Sequence, residues 1–82
     1  MDKFPQILEN VAVAEPEKLA TDQRLLSEIA SHETQMADRG RILVRPSGTE
    51  PILRIMVEGQ DKQEVGSIAR ALVDHAVSLS AP

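Results

Sequence analysis

Arg41-Ile42-Leu43-Val44-Arg45-Pro46-Ser47-Gly48-Thr49-Glu50-Pro51-Ile52-Leu53-Arg54-Ile55-Met56-Val57-Glu58-Gly59 reads as two short strands joined by a proline-bounded loop. Ile42-Leu43-Val44 makes the Arg41–Arg45 segment rich in β-formers. After the loop, Pro46 to Pro51, a period of two runs from Ile52 to Glu58. Leu53, Ile55 and Val57 share one face, and Arg54, Met56 and Glu58 share the other. An alternation of this kind requires cover for the apolar face and leaves the other face free.

The flanks supply that cover. On the C-terminal side Asp61 is placed to cap a helix, with Glu64 three residues on as the second half of a capping box. Val65, Ile68, Ala69, Leu72, Val73, Ala76 and Leu79 then form one apolar stripe at helical spacing. On the N-terminal side Leu25, Leu26, Ile29, His32 and Met36 recur at the same period from about Asp22 to Ala37. Thr21 or Asp22 is the expected cap, and Arg39-Gly40 the expected stop. Gln6 to Ala14 places Ile7, Val11 and Val13 on one face and Leu8 and Ala12 on the other, which favours a strand over the weaker helical reading. The order is β-α-β-β-α. It predicts an α+β two-layer sandwich, a small mainly antiparallel sheet with two helices packed on one face, built as a single domain over residues 1–82.

Composition narrows the function. With one aromatic residue, Phe4, the core must be aliphatic, and stacking platforms for single-stranded nucleic acid are essentially absent. A formal net charge of −4 argues against generic nucleic-acid backbone binding, though not against one phosphate held by two arginines. The lack of cysteine excludes disulfides, thiolate nucleophiles and cysteine-ligated metals. No apolar run approaches a membrane span, and Met1-Asp2-Lys3-Phe4-Pro5 lacks the apolar stretch of a secretory signal, so a soluble, cytoplasmic protein is expected.

The chemistry concentrates in the loop. Gly48 lets backbone N–H groups approach an anion and is free to take positive φ, so the turn is a candidate anion nest. Ser47 and Thr49 add hydroxyl donors, and Arg45 a permanent planar cation matched to phosphate oxygens. Arg54, on the face opposite Leu53, is placed to reach the same anion. Pro46 and Pro51 limit the entropy lost when the loop grips a ligand. The same residue types also make an ordinary turn with solvated arginines at its strand ends, and on composition alone both readings stand.

The Arg41–Gly59 stretch resembles the phosphate-binding loop and flanking strands of the α-D-phosphohexomutase superfamily. Its Arg45-Pro46-Ser47-Gly48-Thr49-Glu50-Pro51 form, followed by Arg54 and Met56-Val57-Glu58-Gly59, is similar to the glucosamine-phosphate branch in particular. The opening Phe4-Pro5-Gln6-Ile7-Leu8-Glu9-Asn10-Val11 resembles that branch's entry into its last domain. The resemblance implies a C-terminal phosphate-binding domain. Arg45, Ser47, Gly48, Thr49 and Arg54 would hold the substrate phosphate, Pro46 would contribute geometry, and Glu50 would orient the loop. The implied partners are a phosphosugar (glucosamine phosphate) and the upstream domains of the same enzyme, with neither nucleic acid nor membrane. The implied reaction interconverts glucosamine 6-phosphate and glucosamine 1-phosphate, toward amino-sugar nucleotides and cell-wall precursors, through a phosphoserine and a bisphosphorylated sugar. Phosphomannomutase and phosphoglucomutase relatives remain open, as do small RNA- or protein-binding modules of similar build.

The serine, magnesium and sugar loops of that superfamily have no match in this chain. Magnesium is thus implied for the full-length enzyme, while no cofactor, metal or catalytic residue is expected here. Ser27, Ser31, Ser67, Ser78 and Ser80 lack an activating constellation. His32 and His75, on the helices, read as packing or surface residues.

Overall fold

In a computed structural model, which describes residues 4–80, Ile52–Gly59 (β3) is the central strand. Gln6–Ala12 (β1) and Gly40–Pro46 (β2) flank it, both antiparallel, in the order β1-β3-β2. A central strand with one buried face is the arrangement its period-two pattern requires. Leu53, Ile55 and Val57 are each fully buried. Opposite them in register stand Val11 and Ile7 of β1, and Ile42, Val44 and Pro46 of β2.

The covering layer consists of two long helices, Gln23–Met36 (α2) and Lys62–Ser80 (α3), preceded by a one-turn helix, Pro16–Leu19 (α1). Leu25 and Met36 of α2 and Val65, Ile68, Ala69, Leu72 and Ala76 of α3 meet the sheet in one aliphatic core. Each large side chain buried there contributes roughly 1.5–3 kcal/mol. The architecture is the expected α+β sandwich with the helices on one face.

Several details differ from expectation. β1 ends at Ala12; Val13 is buried beyond it, its N–H donating to the Pro51 carbonyl at 3.0 Å. The turn of helix at α1 is too short for a periodic signal, and it serves to sink Leu19 into the core. α2 stops at Met36, and Ala37, not Gly40, carries the positive φ of 55°, leading into a 3-10 turn over Ala37–Arg39. Gly40 instead opens β2 in extended backbone, where a Cβ would collide with the Glu58 carbonyl oxygen and lie 2.8 Å from Met36 Sδ. Of the two suggested caps, Asp22 serves α2, accepting from the Arg24 N–H at 2.8 Å. Asp61 caps α3 through the Gln63 N–H at 2.9 Å, but Glu64 does not complete a capping box. Its carboxylate instead accepts from Arg39 at 3.1 Å, joining the α3 start to the 3-10 turn.

Candidate functional site

Three strands and one loop build a groove of about 500 Å³ on the helix-free face. The antiparallel register sets Arg45 of β2 directly across from Arg54 of β3, with Asn10 of β1 on the other side of Arg54. The neighbouring row runs Leu43, Met56, Leu8. At the mouth of the β2–β3 hairpin, Pro46, Ser47, Gly48 and Thr49 complete the lining. One end of the groove is therefore cationic and hydroxyl-rich, and its floor is aliphatic.

The loop is anchored at its base. The Ser47 N–H donates to the Ile52 carbonyl at 2.8 Å, and the Ile52 N–H donates to the Glu50 carbonyl at 2.7 Å. The bond from Val13 to Pro51 ties the loop's far end to the chain leaving β1. These bonds consume the Ser47 N–H, so it is not part of any nest. The N–H groups of Gly48, Thr49 and Glu50 have no acceptor among the described residues. Gly48 does not take positive φ, and a Cβ there would meet nothing within 4 Å. What glycine provides at this position is open backbone, not a left-handed turn.

Electrostatics sets this groove apart. Arg24, Arg39, Arg41 and Arg70 are paired with Asp22, Glu64, Glu58 and Asp74 at 2.9, 3.1, 3.0 and 3.5 Å. Arg45 and Arg54 have neither an ion pair nor a side-chain hydrogen bond among the described residues, although they are like charges directly opposed across a ladder. Such opposition is unfavourable in the absence of an anion. Asp22, drawn down to about 2 chiefly by its hydrogen bonds from Arg24, caps α2 and does not line the groove.

Arg45, Pro46, Ser47, Gly48, Thr49 and Arg54 are thus gathered as the sequence suggested. Glu50 is exposed, does not line the groove and makes no side-chain hydrogen bond among the described residues; it reaches the loop base through its carbonyl. Leu8, Leu43 and Met56 were not singled out as site residues. Their signal was the alternation that turns Leu8 and Met56 away from the core. His32 lies beside Glu28 at 2.9 Å and His75 beside the Arg24 carbonyl at 3.3 Å, neither in the groove. Among the described residues no three acidic or histidine side chains converge, so they do not fit a magnesium ion. No described helix is long and apolar enough to cross a membrane.

Residues 8–75 match the model of the phosphoglucomutase/phosphomannomutase C-terminal domain. The chain is 43% identical over 74 residues to phosphoglucosamine mutase of Thermobifida fusca and 47% identical over 72 residues to that of Moorella thermoacetica. These alignments cover 90% and 88% of this chain but only 16% of either relative. Among solved structures, an Aspergillus fumigatus N-acetylphosphoglucosamine mutase variant in complex with glucose 1,6-bisphosphate superposes with a TM-score of 0.80. The same enzyme in complex with GlcNAc-6P and magnesium superposes at 0.75. Each is 25% identical and aligns with 96% of this chain and 16% of its own. The chain, a β-α-α-β-β-α sandwich matched over residues 8–75, belongs to the phosphoglucomutase/phosphomannomutase C-terminal domain family.

Proposed function

We propose that this chain is the phosphate-gripping C-terminal domain of a phosphoglucosamine mutase, whose whole converts glucosamine 6-phosphate and glucosamine 1-phosphate into each other. In this reading residues 1–82 form one domain. Arg45 and Arg54 clamp the phosphate that is not reacting, Ser47 and Thr49 donate their hydroxyls, and the N–H groups around Gly48 complete the grip. Pro46 stiffens the approach. Glu50 holds the loop's shape without touching the anion, since a carboxylate beside phosphate would repel it. The observation that carries the reading is the pair of opposed arginines without carboxylate partners among the described residues, set beside a loop with three N–H groups uncommitted among them.

A grip on a remote phosphate helps hold the reacting hydroxyl in line, so its binding energy serves the chemical step. The site reads phosphate and little of the sugar, which suits a substrate that must sit in two orientations. The reacting serine and the magnesium site belong, in this reading, to upstream domains of the same enzyme, which are the domain's partners.

The test is a ¹H–¹⁵N NMR titration of the chain with glucosamine 6-phosphate, with glucosamine as control. Saturable shifts confined to the loop and Arg54 are expected, with a dissociation constant near millimolar, roughly −4 kcal/mol. Arg45→Ala should weaken binding about tenfold or more, since a charge-assisted hydrogen bond contributes roughly 1.5–3 kcal/mol. Unchanged affinity in that variant would remove the loop from the site. At the level of the reaction, this chain should support mutase activity when it replaces the last domain of the Moorella thermoacetica enzyme, and Arg45→Ala in that chimera should lower kcat/KM.

A further inference from the structure

We propose that the groove selects the dianionic form of a phosphate monoester and discriminates against a monoanion of the same shape. This rests on the phosphate-binding reading above and adds a charge requirement to it. To the groove β2 contributes Arg45, β3 contributes Arg54, β1 contributes Leu8, and the loop contributes the Ser47 and Thr49 hydroxyls. Asn10, across from Arg54 in the ladder, is uncharged. Glu50 does not line the groove, and Glu58, on the same sheet face, is held by Arg41 at 3.0 Å. Both histidines lie elsewhere, His32 beside Glu28 and His75 against the Arg24 carbonyl.

Two consequences follow. Among the described residues the groove holds two fixed positive charges and no counter-charge, so a ligand with two negative charges neutralises the opposed guanidiniums, and one with a single charge leaves one of them unmatched. The groove is also rich in donors. Guanidinium groups and backbone N–H groups cannot accept a hydrogen bond, so a P–OH proton would find as side-chain acceptors only the Ser47 and Thr49 hydroxyl oxygens and, beside Arg54, the Asn10 amide oxygen. Since guanidinium groups stay charged throughout and no other ionisable side chain among the described residues lines the site, the pH dependence of binding belongs to the ligand's own second ionisation, near pH 6.

The experiment compares glucose 6-phosphate with glucose 6-sulfate, a shape analogue that stays monoanionic, at pH 7.5 and pH 5.5. Both pH values lie above the chain's isoelectric point of about 5.0. These sugars lack the amine whose own titration would confuse the result. The dianion falls from nearly all of the phosphate ester to about a quarter between the two pH values, so its affinity should drop about fourfold. The sulfate should bind more weakly at pH 7.5 and remain flat. Arg54→Gln should narrow the preference for phosphate over sulfate at pH 7.5.

A phosphate affinity that is flat with pH, or a sulfate affinity equal to that of phosphate at pH 7.5, would overturn the proposal. A parallel drop for both ligands would also overturn it, because a protein group would then be titrating. An unchanged preference in Arg54→Gln would overturn the two-charge explanation. If neither ester moves the loop resonances at pH 7.5, the phosphate-site reading itself fails, which is a separate outcome from binding without charge selection.

Discussion

The two faces of β3 carry opposite economies. Leu53, Ile55 and Val57 are sealed under the helical layer, chiefly α3, while Arg54, with Met56 beside it, lines a groove that no helix covers. Neighbouring residues on one strand thus serve different ends because side chains alternate across a sheet. The arginines repeat the contrast. Four are spent on carboxylates, while Arg45 and Arg54, opposed in the ladder, are left without one among the described residues. Stability is concentrated on the covered face, and the open face carries an electrostatic cost that makes sense if an anion relieves it.

The largest way to break this comparison is to exchange the consequences of the two faces. Ile55→Ala empties a fully buried site and should destabilise the domain by about 2–5 kcal/mol. Its neighbour Arg54→Ala should change stability by no more than about 0.5 kcal/mol, with any shift toward greater stability because a like-charge opposition is removed. Urea unfolding followed by circular dichroism measures both. A large loss in Arg54→Ala would mean that the open face is structural after all.

The two ends of the β2–β3 hairpin sharpen the contrast at a smaller scale. At the closed end, Gly40→Ala would drive a Cβ onto the Glu58 carbonyl and to within 2.9 Å of Gly59 Cα, which only a backbone shift relieves. It should cost about 1–3 kcal/mol. At the open end, Gly48→Ala meets no atom within 4 Å and should leave the unfolding midpoint unmoved or slightly raised, while weakening phosphate-ester binding by crowding the loop N–H groups. Equal destabilisation by the two substitutions would erase the distinction between a packing glycine and an access glycine.

How much of this was legible in the sequence follows from length and period. The β2–β3 hairpin, α2 and α3 announce themselves because each repeats its apolar pattern over at least two turns or several alternations. Pro16–Leu19 is a single turn, and one buried leucine carries no period. The expected span of α2, about Asp22 to Ala37, lies within a residue of the observed one, but its stop is not Arg39-Gly40: glycine is the common left-handed residue, yet Ala37 accepts that conformation and Gly40 is required for close packing against β3. Glu64 has the spacing of a capping box, but Arg39, 25 residues earlier in sequence, takes its carboxylate. At the site, the opposition of Arg45 and Arg54 follows from a hairpin register centred on the loop, so the cationic end was readable. The aliphatic floor was not, since it needs the positions of three strands at once. Nor was the loss of the Ser47 N–H to the Ile52 carbonyl.

The paired arginines provide the smallest test. Hydrogen bonds from the Arg24 side chain and N–H hold the Asp22 carboxyl at about 2, below its ordinary 3.8. A folded-state pKa lower than the unfolded one means that the ionised group favours the folded state. That contribution is fully present above about pH 4 and fades as pH falls from 3.8 toward 2. Asp22→Asn keeps a capping side chain but has no charge to lose. The Tm difference between the parent and this variant should therefore be constant from pH 7 to about pH 4.5 and shrink as pH falls toward 2, the other carboxylates acting on both proteins alike. Arg45→Ala offers the contrasting control, because Arg45 has no carboxylate partner among the described residues whose titration would change. Its Tm difference from the parent should show no such step in that window. If the Asp22→Asn difference also stayed constant down to pH 2, the α2 cap would not depend on the Asp22 charge, and the distinction between paired and unpaired arginines would have no stability counterpart at this position.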